Sequence, residues 1–236
     1  MSRLRDYDVL VACEESGMIR DALRAAGVRA ISCDLKPSRR PGPHAVIDVR
    51  RLLPLRHWKG MIAHPPCRYL ANSGAKHLYK RINGVWAKEH GRDADRWRLM
   101  EEGAAFFNLF RDADHIPLRA IENSIMHGHG LQMTAGRPAD VITQPWWFGD
   151  PFTKAAAWWL YGLPALVRLY DKSHYESIRP KAWYLPPSDD REQKRSETEP
   201  ATALAVAAQW GPLFRAGSGT RPAIPRSARP LPPACR

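Results

Sequence analysis

Cysteine is scarce and scattered: Cys13, Cys33, Cys67 and Cys235 are the only four in 236 residues, and none stands at CxxC spacing from another. That argues against a disulfide framework or a paired-thiol zinc site, so each thiol has to be explained singly. Also missing is any apolar run approaching the roughly 20 residues that a bilayer-spanning helix needs. The opening residues Met1 to Asp8 lack the basic, apolar and small-residue succession of a secretion signal. These absences predict no membrane span and a cytoplasmic location. Acidic residues are in deficit, 24 against 36 Lys and Arg, for a formal net charge of +12. Such a field concentrates polyanions and points to nucleic acid or phosphate-bearing partners.

The length suits one α/β domain. Tyr7 to Ala12 reads as a short buried strand, Gly17 to Ala26 as a helix stopped by Gly27, and Val28 to Cys33 as a second strand, which together make a βαβ opening with a parallel sheet. Beyond a Pro/Arg-rich loop, 36–43, Ala45 to Val49 is a third strand candidate, and Gly60 to Ala63 is a fourth leading into His64-Pro65-Pro66-Cys67. Residues 76–92 are polar and basic and read as a mobile loop. Asp95 to Phe110 is an amphipathic helix, Leu118 to Asn123 a further strand, and Asp140 to Trp147 pairs with Ala155 to Leu160 as a late antiparallel couple. From Ala216 the chain is rich in Gly, Pro, Ser and Arg with little to bury, which predicts a disordered basic tail over 216–236 after a catalytic domain over 1–215.

The chemistry concentrates at strand ends. In open α/β sheets ligands bind outside the carboxyl ends of the strands, so Asp34, Asp48 and Cys67 are expected to line one crevice. Two prolines before Cys67 restrict the loop and present the thiol rigidly. A thiolate adding to an electron-poor ring carbon makes the adjacent carbon reactive toward an electrophilic methyl group. The charge this places on the ring needs a proton or hydrogen bond, which Glu122 would supply, while Asn123 would hold the loop through backbone hydrogen bonds. His64, His127 and His129 invite a metal reading, but no closed ligand set appears at zinc spacing, so no metal is expected. His64 is expected to shape the catalytic loop and His127 to bond around the 122–124 turn. Of Trp146, Trp147, Trp158 and Trp159, the paired positions should send one ring into the core and one outward. Lys76, Lys80, Arg81, Lys88 and Arg92 are expected to meet phosphates.

The order of these motifs resembles that of the DNA cytosine 5-methyltransferases: a cofactor strand and loop, then PPC, then an ENV-type turn, then a basic segment. The span from Val9 to Gly211 is similar to a group of short phage-type proteins described as cytosine methyltransferase-like, sharing VACExSG, CDLxPxxRPGPH, AHPPCxYLxNSG, IENxIMH, QPWxFG, TKAxxWWL and QWG. The resemblance implies a Rossmann-like class I methyltransferase fold, mostly parallel with helices on both faces, and S-adenosylmethionine as cofactor. It implies that Ala12, Cys13, Glu14, Ser16 and Gly17 surround the methionine part, that Asp34 with Leu35 meets the ribose, that Asp48 lies near the adenine, and that Pro65 borders the cofactor. Cys67 would be the nucleophile, with Glu122, Asn123 and Arg195 catalytic. Arg68, Lys76, Arg191 and Ser196 would bind the substrate, with a small recognition insertion near 124–190. The chain departs from the larger family in having ACEESG for FxGxG, Arg68 for Gln, Ser124 for Val, and only an approximate basic motif. Nucleic acid, DNA before RNA, is the expected partner, and a homodimer is compatible with the sequence. The rivals are an enzyme acting on free pyrimidine nucleotides, an exocyclic-amino DNA methyltransferase, and a catalytically dead nucleic-acid-binding relative.

Overall fold

A computed structural model describes residues 2–180 and 197–216. Arg191, Arg195, Ser196 and the 217–236 part of the basic tail, with Cys235, lie outside the described residues. The main sheet has seven strands: β1 (Val9–Ala12), β2 (Ala30–Asp34), β3 (His44–Val46), β4 (Gly60–Ala63), β5 (Leu118–Asn123), β6 (Val141–Thr143) and β7 (Ala156–Tyr161). Their spatial order is β3-β2-β1-β4-β5-β7-β6, and β7 runs antiparallel to both its neighbours while the remaining pairs are parallel. This is the Rossmann-like class I methyltransferase arrangement. The strand order turns back between β1 and β4, and the crevice of such a sheet opens at that switch point.

Among the described residues, four helices cover the two faces: α1 (Met18–Ala25), α2 (Ala94–Arg111), α3 (Gly128–Met133) and α4 (Pro200–Ala216). Alternation along the strands divides the core in two. Leu10, Ala12, Met61, Ala63, Ile121 and Trp159 pack with Trp97, Met100, Phe107 and Phe110 of α2. Val9, Val11, Ile62, Ala120 and Trp158 pack with Ile19 and Leu23 of α1 and Val206, Trp210 and Phe214 of α4. Trp158 and Trp159 therefore point to opposite faces, yet both are core, each 1% exposed, because helices cover both sides. The expected outward ring is not there. Trp146 is also buried, and Trp147 packs at the edge of the second cluster.

The element boundaries shift for local reasons. Gly17 has φ 74°, so the helix starts after it, and Gly27 at φ 79° ends the turn before β2. Asp48 leaves β3 to cap a 3-10 turn, Val49–Arg51, by accepting the Arg50 N–H at 2.9 Å, which ends that strand earlier than the pattern suggested. Asp93 caps α2 by accepting the Arg96 N–H at 3.0 Å. The expected loop over 76–92 carries local structure: the end of a 3-10 turn (Asn72–Leu78), a ribbon pairing Arg81–Ile82 with Val85–Trp86, and another 3-10 turn (Lys88–His90). Asn83 and Gly84, both at positive φ, make the tight turn of that ribbon. No described helix is long and apolar enough to cross a membrane.

Candidate active site

Strand register sets the site. Cys33, Ala12, Ala63 and Ile121 lie in one row across β2, β1, β4 and β5. The next residue on each strand, Asp34, Cys13, His64 and Glu122, therefore stands at the carboxyl edge. The ladder continues one step past the strands: His64 donates its N–H to the Ala12 carbonyl at 2.9 Å, and Glu14 donates its own to that of Cys33 at 3.0 Å.

Two loops that are 58 residues apart in sequence are tied together here. Asn123, 1% exposed, donates from Nδ2 to the Pro65 carbonyl at 2.9 Å, while its Oδ1 accepts the Ser124 N–H at 3.0 Å. His64 Nδ1 meets Glu122 Oε2 at 3.1 Å. His127 accepts the Gly130 N–H on Nδ1 at 3.0 Å, which leaves Nε2 to donate to the Tyr69 carbonyl at 3.1 Å. Burial pushes the proton affinity of the His127 ring down, in keeping with that neutral form. The Asn72 N–H reaches the Ile125 carbonyl at 2.8 Å. The prolines, Asn123 and His127 thus fix a half-buried Cys67 at the start of a turn, where its carbonyl accepts the Leu70 and Ala71 N–H groups.

The loop after β1 is built from its own side chains. Cys13 adopts φ 58°, and burial pushes its thiol well up, which disfavours the thiolate; Cys33 is pushed to about 12 by the same cause. Glu14 turns inward, 5% exposed, and accepts the Ile19 N–H at 2.6 Å and the Arg20 N–H at 3.3 Å. Ser16 accepts the Met18 N–H at 3.2 Å and donates to Glu14. Glu14 and Ser16 thus serve as the start of α1, where the orphan amides need acceptors. On the far side, Asp34 accepts the Lys36 N–H at 3.0 Å next to Leu35 and Val46, which are left 73% and 58% exposed. Asp48 is engaged by Arg50, whose backbone N–H, more than its guanidinium, holds the carboxyl below its ordinary range.

Three features escaped the sequence reading. Arg20 is wholly buried, and its guanidinium reaches Asp21, Ser32, Ser38 and the carbonyls of Arg40 and Pro41, so it pins the 36–43 loop to α1. His64 bonds Glu122. Lys154 shares with Glu122, Thr143 and Glu199 a small cavity of about 30 Å³, and it pairs with Glu199 at 3.6 Å. The TKA run gave a signal for Lys154, whereas nothing in the sequence marked Arg20.

Next to the Cys67 turn, cations lie on aromatic rings: Arg96 over Tyr69 at 4.5 Å, Lys76 and Arg81 over Trp86 at 4.8 and 4.4 Å, and Arg92 over Trp97 at 3.8 Å. Arg68 lies 5.6 Å from the Tyr69 ring, and its carbonyl accepts from Arg96. Tyr69, His77, Trp86 and Arg96 line an open cleft of about 460 Å³. Among the described residues no three His, Cys, Asp or Glu side chains form a metal-ligating group.

No protein-family model matches the chain, and no curated protein matches it. Among solved structures, it is similar to a mutant of DNMT2 from Spodoptera frugiperda at 10% identity, with 73% of this chain and 54% of that chain covered and a TM-score of 0.38. It is also similar to the methyltransferase EhMeth of Entamoeba histolytica at 16% identity, with 78% and 64% covered and a TM-score of 0.40. The match thus spans less than two thirds of either protein. The fold assignment rests on this chain's own strand order.

Proposed function

We propose that this protein is an S-adenosylmethionine-dependent DNA cytosine 5-methyltransferase with Cys67 as its nucleophile. One observation carries the proposal: Asn123 ties the proline-restricted Cys67 loop to the strand end that bears Glu122, and His64 of that loop meets the Glu122 carboxyl group. A thiol on that loop and a carboxyl group on the strand end tied to it suit attack at one edge of a flat ring and proton delivery at another. The cofactor also fits the residues present. Leu35 and Val46, left in water, offer an apolar surface, and Asp34 beside them offers a hydroxyl acceptor, of the kind an adenosine needs. The bound cofactor would supply an electrophilic methyl group.

A cytosine inside a duplex is out of reach, so it must swing out, at a cost of a few kcal/mol. The Cys67 thiolate then bonds to carbon 6 while Glu122 gives a proton to the ring nitrogen, and carbon 5 becomes nucleophilic. Once carbon 5 has been alkylated, loss of its proton breaks the bond from carbon 6 to sulfur and returns the thiolate. Lys154, lining the cavity beside Glu122, adds a cation suited to a ring carbonyl. The ring-held cations from Arg68 to Arg96 suit the phosphate backbone, with less side-chain freedom to lose on binding.

The test is intact-mass spectrometry after incubation with S-adenosylmethionine and DNA carrying 5-fluorocytosine, which blocks the last proton loss. A trapped mass mapped to Cys67 and absent in Cys67→Ala supports the proposal. An adduct with the free fluorinated nucleotide but not with DNA moves the substrate to nucleotides. Methylated DNA with no adduct moves the target to an exocyclic amine.

A further inference from the structure

His64 spends only one of its two ring nitrogens. Nδ1 meets Glu122 at 3.1 Å, whereas Nε2 is buried with no partner among the described residues. Two other histidines of the fold show what a supporting ring does. His127 uses both nitrogens, on Gly130 and Tyr69, and His44 uses both, on Ser32 at 2.8 Å and the Lys36 carbonyl at 2.9 Å. Holding the HPPC loop does not need the His64 ring either, because its backbone N–H and the Asn123 amide already do so.

Acidic groups surround this ring. Glu122 faces it from β5, and Glu14 lies within electrostatic reach from the β1–α1 loop. Trp158 of β7 presents an uncharged edge with its centroid at 6.3 Å. The charges behind these groups are Arg20, whose backbone N–H bonds Glu14 while its guanidinium turns to the 36–43 loop, and Lys154 and Glu199, which share the cavity with Glu122. The imidazole thus meets one carboxyl group directly through Nδ1 and has a second within electrostatic reach.

We infer that His64 is a positioning residue that shares a proton with Glu122 and reloads it for transfer to the pyrimidine ring. This rests on the proposed function for its substrate, but the proton sharing is a property of the protein alone. In the forward direction the Nδ1–H bond of the imidazolium breaks and an Oε2–H bond forms as Glu122 passes a proton to the ring nitrogen. When the product leaves, the ring nitrogen returns its proton to Glu122, and Glu122 returns one to Nδ1, so charge and protons balance.

The test has two arms. In the first, ¹⁵N shifts of the His64 ring are followed by NMR from pH 5 to 9 in the full chain and in Glu122→Gln, without substrate. A change in which nitrogen carries the proton, or in the pH dependence of the shifts, supports the inference; identical shifts in both proteins overturn it. In the second, single-turnover methyl transfer is measured against pH in wild type and His64→Asn, whose amide can still donate toward Glu122 but cannot release a proton. A fall in rate of about 100-fold, with loss of the alkaline limb seen in wild type, is expected. Wild-type rate and profile in His64→Asn would overturn the relay. If wild type transfers no methyl group to any pyrimidine, the proposed function falls, and the NMR arm still decides the proton sharing.

Discussion

Asn123 gives the most direct test of how the two loops are held. It is 1% exposed, with one donor bond to the Pro65 carbonyl at 2.9 Å and one acceptor bond from the Ser124 N–H at 3.0 Å. Asn123→Ala removes both and leaves a buried carbonyl without its partner. One neutral hydrogen bond is worth about 1 kcal/mol net and an unsatisfied buried group costs about 1–3 kcal/mol, so the expected loss is roughly 2–4 kcal/mol. Asn123→Asp keeps the acceptor and the shape but turns an oxygen toward the Pro65 oxygen. The introduced carboxyl group should therefore stay protonated in the fold, with a proton affinity above that of the unfolded chain. Below the unfolded value near 3.9 this protonated carboxyl can still donate to Pro65. As pH rises above that value the unfolded state ionises first, so the variant loses stability progressively toward neutrality. Urea unfolding at pH 4.5, 6 and 7.5 measures this. At pH 7.5 the order should be wild type, then Ala, then Asp, with the gap between Ala and Asp widening as pH rises. An Asp variant as stable as wild type at pH 7.5 would refute the donor assignment and with it the tie between the loops.

Other outcomes follow from single contacts. Arg20→Met leaves the Arg40 and Pro41 carbonyls and the Ser38 hydroxyl without their guanidinium; a loss of about 3–5 kcal/mol is expected, read by denaturant unfolding, and a loss under 1 kcal/mol would show that the 36–43 loop does not depend on it. Burial raises the Glu14 carboxyl above its ordinary 4.5, so the folded state holds a proton that the unfolded state has released, and stability falls as pH climbs from that value through the folded one. The stability of Glu14→Gln relative to wild type should accordingly increase with pH, and a flat or falling difference would contradict it. Lys76→Ala and Arg81→Ala should each reduce the slope of log affinity for duplex DNA against log salt by about 0.9, as measured by fluorescence anisotropy; unchanged slopes would remove the ribbon from the interface.

The sheet was readable because its strands are short apolar runs, some of them closed by Asp34, Asn123 or Gly162, and the antiparallel pairing of β7 with β6 could be anticipated from two such runs late in the chain. The ends were less readable. At Gly17, Gly27 and Asp48 a left-handed glycine or a capping carboxylate, rather than apolar pattern, decides where an element starts or stops. In the site, the proline-restricted Cys67 turn and the bond from Asn123 to the loop were legible because their local chemistry is explicit. The inward turn of Glu14 was not, because its partners are amides that any sequence would provide. Nor was the pairing of His64 with Glu122, which exists only because register aligns β4 with β5. The fate of the two core tryptophans was missed for a related reason: alternation assigns faces to a strand, but whether both faces are covered depends on helices far away in sequence.

One of those helices has a consequence for how the molecule comes into being. The Arg215 side chain bonds the Ala26 carbonyl across 189 positions of chain, and α4 covers the same face as α1. During synthesis the first strand and helix emerge early, yet their apolar side has no cover until the last of these elements clears the ribosome. The nascent chain must carry that exposed face while everything between α1 and α4 is made, and the collapse that covers it is a long-range event, the kind that folds slowly and invites association between unfinished chains.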